Sequence, residues 1–98
     1  MQTVQQVTVL LATFNGERFL NEQIESILNQ ERVRVEIYVN DDGSTDRTPE
    51  ILAKWTQSGH ISKLTRSDRN GPTRAFLKLL ALCEGKEFVA FSDGRGVT

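Results

Sequence analysis

The amino-acid sequence predicts an α/β fold: a Rossmann-like parallel sheet in the order β-α-β-α-β-α-β. Three observations carry it. Short runs rich in β-branched and apolar residues (7–12, 35–39 and 88–91) alternate with segments of helical periodicity. The connections have the length that right-handed parallel crossovers need. Polar, glycine-containing turns stand at the ends of the strand-like runs, where ligands bind in open α/β sheets.

Residues 7–12 form an apolar run that ends in Thr13-Phe14-Asn15-Gly16, a buried strand followed by a turn. In the helix expected next, Phe19, Leu20, Ile24, Ile27 and Leu28 share one face, while Arg18, Glu22, Glu25 and Asn29 take the other. The second strand, 35–39, leads into Asn40-Asp41-Asp42-Gly43-Ser44-Thr45-Asp46, and Pro49 then opens a helix carrying Ile51, Leu52 and Trp55. Gly59 ends that helix, and 61–65 alternates like a half-exposed strand at a sheet edge. Residues 69–72 break the chain before Ala75, Phe76, Leu79, Leu80 and Cys83 form the clearest amphipathic helix, closed by Gly85. The last strand, 88–91, delivers Ser92 and Asp93 at its C-terminal end.

Ninety-eight residues make one small domain or a piece of a larger one, and the expectation is a single unit spanning 1–98. A net charge of -1 with both signs interspersed gives no electrostatic case for nucleic acid or for a polybasic membrane patch. The single cysteine, Cys83, reads as a small core residue in a reducing compartment, and the only histidine, His60, sits in a polar turn away from it. No segment has the apolar length of a transmembrane helix, so the expected location is cytoplasmic.

The chemistry concentrates at the acidic turn. Asp41 and Asp42 stand where a strand stops and a helix is about to begin; Gly43 permits a sharp turn, and Ser44, Thr45, Asp46 and Thr48 are all residues that cap helices. An isolated turn of this kind most often only caps and solubilises. A strand order of 3-2-1-4, however, would open a crevice beside the Thr13-Phe14-Asn15 turn, the Asp41-Asp42 turn and Asp93 together. An aromatic, two or three carboxylates and a helix N-terminus suit a nucleotide, with a cation to reconcile acid with phosphate.

These residues carry a resemblance. Residues 7–16, Ser26-Ile27-Leu28-Asn29-Gln30, residues 39–46 and Phe91-Ser92-Asp93 resemble, in order and with fitting gaps, the successive blocks of the glycosyltransferase family 2 domain with the GT-A fold. Within it the chain is most similar to bacterial transferases, including rhamnosyltransferases, that build surface polysaccharides. The resemblance implies a partial GT-A fold and a parent that transfers sugar, with inversion, from a uridine or thymidine diphosphate sugar to a glycan or lipid-linked acceptor. It implies a parent working at the cytoplasmic face of the membrane. Asp42 would accept the imide N–H of the base beside Asp41, Phe14 would pack on the base, and Ala12 and Thr13 would line the pocket. Arg74 would supply a positive charge near the nucleotide. Asp93 would hold the ribose and a divalent metal, Mg²⁺ or Mn²⁺.

The sequence departs from the family pattern after Asp93. A second metal-ligating aspartate is expected at position 95, where Arg95 stands, and a guanidinium has no lone pair for a metal. The expectation is therefore a truncated donor-binding part with no catalytic residue of its own, inactive alone, doubtful as a metal binder, and prone to self-association through an uncovered sheet edge. Two rivals remain. A receiver-type signalling domain would want its acidic pair after the first strand. A dinucleotide oxidoreductase would want Gly-x-Gly-x-x-Gly where Thr13-Phe14-Asn15-Gly16 stands.

Overall fold

The computed structural model describes residues 5–30, 33–86 and the backbone of 89–93. Strands β1 (Gln5–Thr13), β2 (Val33–Asp41), β3 (Ile61–Arg66) and β4 (Val89–Asp93) alternate with helices α1 (Leu20–Leu28), α2 (Thr48–Gln57) and α3 (Pro72–Leu80). Every pairing is parallel and the sheet order is β3-β2-β1-β4, so the expected fold class and topological switch are both present. A parallel central pair must be covered on both faces, which is why β1 and β2 are apolar on successive residues instead of alternating.

Leu11, Ile37 and Val39 meet Leu20 and Ile24 of α1 and Leu52 of α2 on one face. Leu10 and Tyr38 meet Leu79 and Cys83 on the other. β3 lies at the edge with a break in register near Ile37 and Tyr38, and Leu64 is exposed there.

The elements differ from expectation at three places. Phe19 is exposed because the helix starts one residue later: Phe19 has the non-helical backbone of a cap, φ -122°, and Gln23 is buried on the inner face in its stead. Cys83 lies beyond the end of α3, carried by a tight turn in which Leu82 N–H donates to Leu79 O and Cys83 N–H to Leu80 O. It is still buried, and burial pushes its thiol pKa up, the opposite of a reactive cysteine. Leu80, expected inside, is exposed. Phe88 lies outside the described residues. Among the described residues, no helix is long and apolar enough to cross a membrane.

Candidate functional site

Parallel pairing brings the ends of all four strands to one edge. Thr13 lies opposite Asp41, Asp41 opposite Arg66, and Ala12 opposite the backbone of Asp93. The turns that follow β1 and β2 are then stitched together. Asn15 takes a left-handed backbone, φ +50°, which asparagine tolerates better than most residues. In that conformation its side-chain Oδ1 accepts the N–H of Thr45 at 2.8 Å, and its own N–H donates to Ser44 Oγ at 2.8 Å. Gly16 N–H donates to Thr48 Oγ1 at 2.9 Å and Glu17 N–H to Asp46 Oδ2 at 3.2 Å. The other Asp46 oxygen accepts Thr48 N–H at 2.8 Å, so Asp46, one residue before the N-cap Arg47, ties down the first amide of α2.

The two adjacent aspartates have different tasks. Buried Asp41 accepts Ser44 N–H at 3.0 Å and pairs with Arg66 Nη1 at 2.6 Å, while Arg66 Nη2 also reaches Ser44 O at 3.2 Å. At 2% exposed, Asp41 is closed inside the turn with its charge paired to Arg66, so it shapes the site instead of facing solvent. Asp42 turns to the loop between β3 and α3. Its Oδ1 accepts Ser67 Oγ at 2.8 Å and Asn70 N–H at 2.7 Å, and its Oδ2 accepts Gly71 N–H at 2.8 Å. Burial alone would raise the Asp42 pKa, but these donors and the nearby Arg69 charge outweigh it and hold the carboxyl below its ordinary value. A carboxylate offers about four acceptor positions. Among the described residues one, on Oδ2, is therefore left over, and because Asp42 is 7% exposed only an edge of it reaches solvent.

A relay fixes this loop from below. Thr65 Oγ1 donates to Asn40 Oδ1 at 2.7 Å, and Asn40 Nδ2 donates to Ser67 Oγ at 2.8 Å, which turns the Ser67 proton toward Asp42. Backbone bonds run alongside: Asp42 N–H to Thr13 O at 2.9 Å, Ser67 N–H to Asp41 O at 2.9 Å and Arg69 N–H to Asp42 O at 3.3 Å. Gly43 is required where these strands of chain cross. Its φ is +82°, and a Cβ there would stand 3.3 Å from Ser67 O and 3.4 Å from Arg69 N.

Phe14 projects from the end of β1 with 36% of its surface exposed, and the Arg69 guanidinium carbon lies 3.9 Å from its ring centroid. Ala12 and Thr13 are buried beneath it, and Thr13 Oγ1 has no hydrogen-bond partner among the described residues. Arg74 is exposed on the first turn of α3, where its guanidinium makes no hydrogen bond or ion pair among the described residues. The backbone of Asp93 ends β4 beside Ala12; its side chain and Arg95 lie outside what is described. Ser67, Arg69 and the Asn70 and Gly71 amides were not expected in the site. The signal was a polar, glycine-containing loop at the C-terminal end of the third strand, the same rule that singled out the other turns.

A divalent cation does not fit the described side chains. Asp41 is committed to Arg66, and Asp42 keeps one acceptor position; no group of three or more His, Cys, Asp or Glu stands together among the described residues. The ligand sets of Mg²⁺ or Mn²⁺ need more oxygen than that.

Known proteins share sequence and fold with this chain. The sequence profile of Glycosyl transferase family 2 matches residues 8–94. The dTDP-rhamnosyl transferase RfbG of Shigella flexneri is 33% identical over 88 residues, covering 85% of this chain and 30% of that protein. The mannosyltransferase PcManGT of Pyrobaculum calidifontis, solved in complex with GDP-Man and Mn²⁺, superposes with a TM-score of 0.79 at 29% identity over 90% of this chain and 27% of its own. The TarS 1-349 structure from S. aureus in complex with UDP-GlcNAc gives a TM-score of 0.72 at 28% identity, over 92% of this chain and 26% of its own. The chain spans 25% of the length of the abequosyltransferase RfbV of Salmonella typhimurium, to which it is 32% identical over 83 residues, and 30% of that of RfbG. The match sets aside the receiver and dinucleotide readings.

Proposed function

Because the chain belongs to glycosyl transferase family 2, we propose that it forms the donor-nucleotide part of a transferase that moves sugar, with inversion, from a uridine or thymidine diphosphate sugar to a glycan or lipid-linked acceptor. The observation that carries the reading is the single acceptor position left on Asp42 Oδ2, beside the exposed ring of Phe14. Uracil and thymine each present one imide N–H to a carboxylate. Guanine presents two neighbouring donors and would need both oxygens, while cytosine turns a lone pair toward the charge. One free position beside an aromatic face thus favours a uracil-type base.

The chain's own residues bind and orient. Phe14 offers the stacking face, Asp42 reads the imide edge, and the Asn40 to Ser67 relay keeps the Asp42 carboxylate from rotating. Asp41 holds the turn shut through Arg66. A divalent ion in such enzymes stabilises the departing diphosphate. On this reading its ligands are not among the described side chains, and no step is assigned to it.

The test is binding of free nucleosides, which removes phosphate and metal from the comparison. Uridine and thymidine should bind, and N3-methyluridine, whose imide proton is replaced by methyl, should bind at least about tenfold more weakly, the loss of one hydrogen bond to a charged group. Equal affinity for uridine, cytidine and N3-methyluridine would refute the assignment of Asp42.

A further inference from the structure

The Arg69 guanidinium carbon lies 3.9 Å over the Phe14 ring, the separation of a stacked pair. A flat base placed on that face of Phe14 needs the same volume, so the two cannot share it. The backbone of Arg69 is not free to carry the side chain away. Its N–H donates to the Asp42 carbonyl at 3.3 Å, and the next two amides, of Asn70 and Gly71, bind the Asp42 carboxylate at 2.7 and 2.8 Å. These bonds hold Arg69 at φ +56°, a conformation that costs a non-glycine residue energy and persists only where the surroundings impose it. The side chain itself is exposed. A long, flat, cationic group is thus tethered at the edge of the carboxylate and lies over the aromatic.

We propose that Arg69 is the second wall of the base site: it rests on Phe14 when no donor is bound and moves outward by the thickness of one ring to lie on the far face of a bound pyrimidine. The inference rests on the reading that Phe14 and Asp42 receive the base. Guanidinium is planar, weakly hydrated and stacks on aromatic faces, so the contact given up on Phe14 is regained on the base. The bound base then stands between two flat groups that shed water from both its faces, and that second covered face is a net gain the Phe14–Arg69 pair alone does not have. The ammonium of a lysine would keep the charge but has no flat surface to offer.

The experiment is ligand-observed NMR titration of the 98-residue chain with uridine, and in parallel with UDP, in three forms: wild type, Arg69→Asn and Arg69→Lys. Asparagine tolerates the left-handed backbone, so the loop should persist without the guanidinium. Uridine carries no charge, which separates stacking from attraction to phosphate. Both variants should bind uridine about twofold to fivefold more weakly than wild type, the scale of an exposed cation–π contact, and lysine should recover affinity only for UDP. Unchanged affinity in Arg69→Asn overturns the inference. Tighter binding overturns it too, since it would make Arg69 a plug that the base must displace. If wild type binds neither uridine nor UDP, the base-site reading itself fails, an outcome distinct from binding that ignores Arg69.

Discussion

Asp42→Asn tests both the architecture of the site and its chemistry, because the substitution keeps the shape and changes the hydrogen-bond inventory. The carboxylate accepts three bonds, from Ser67 Oγ, Asn70 N–H and Gly71 N–H, at 2.7 to 2.8 Å. An asparagine has one acceptor oxygen. Oriented to keep Ser67 and Asn70, it points its NH₂ at Gly71 N–H and at the position proposed for the base imide, donor against donor. The loss is at least one bond to a charged group, about 1.5 to 3 kcal/mol, and the unfolding midpoint should drop by roughly 4–8 °C per kcal/mol. Uridine affinity should fall by roughly tenfold to a hundredfold.

The pH dependence supplies a second readout. The folded-state pKa of Asp42 is lowered from its ordinary 3.8, so its stabilisation is fully present above that value and is lost as pH falls through the lower, folded value. Wild type should therefore lose stability below about pH 4, and the asparagine variant, having no such proton to bind, should lose it less steeply. Thermal melts between neutral and acid pH make the comparison. Coincident melting curves for the two proteins at neutral pH would show that the three bonds are not holding the loop, and the argument for a single vacant acceptor would collapse.

Gly43→Ala should cost about 2 kcal/mol, since alanine at φ +82° is strained and its Cβ meets the backbone at Ser67 O and Arg69 N; a melt unchanged within error would mean that the turn relaxes freely. Asp46→Ala removes the side-chain bond to Thr48 N–H and the tie to Glu17, and should lower stability by about 1 kcal/mol while leaving the preference for uridine over cytidine intact. UDP binding by the 98-residue chain should be nearly insensitive to Mn²⁺, and sugar turnover undetectable; calorimetry that shows a strong Mn²⁺ enhancement would place metal ligands among residues outside those described.

Strand order and the meeting of the polar turns at one sheet edge were legible because they follow from the alternation of apolar runs and polar turns. Apolar runs mark β1 and β2, and their polar ends mark the crevice. Phe14, Asp41 and Asp42 all lie at strand ends, and the parallel register carries those ends to one edge. Element boundaries were less legible where a tertiary contact overrides the helical period: Cys83 continues the apolar spacing of α3, yet a turn and not the helix delivers it to Leu10 and Tyr38.

The residues by themselves did not separate the two aspartates, and only the family resemblance singled out Asp42; the reason is physical. Asp41 and Asp42 are chemically identical neighbours, and what separates them is the set of donors that arrive from a distant part of the chain. Arg66, at the end of β3, neutralises Asp41; Ser67, Asn70 and Gly71, one to five residues further on, take three positions of Asp42. Both partner sets sit on one short stretch, so the edge strand and its loop decide how each carboxylate is turned: Asp41 is closed inside the turn against Arg66, and Asp42 faces the loop. Arg69 belongs to the same stretch. Its sequence neighbourhood, Ser67-Asp68-Arg69-Asn70-Gly71, reads as a plain polar loop, and only the parallel pairing of β3 with β2 brings it against Phe14. On the proposed reading, recognition is therefore a property of the third strand as much as of the acidic turn, and a substitution that shifts β3 along β2 should change base preference without touching either aspartate.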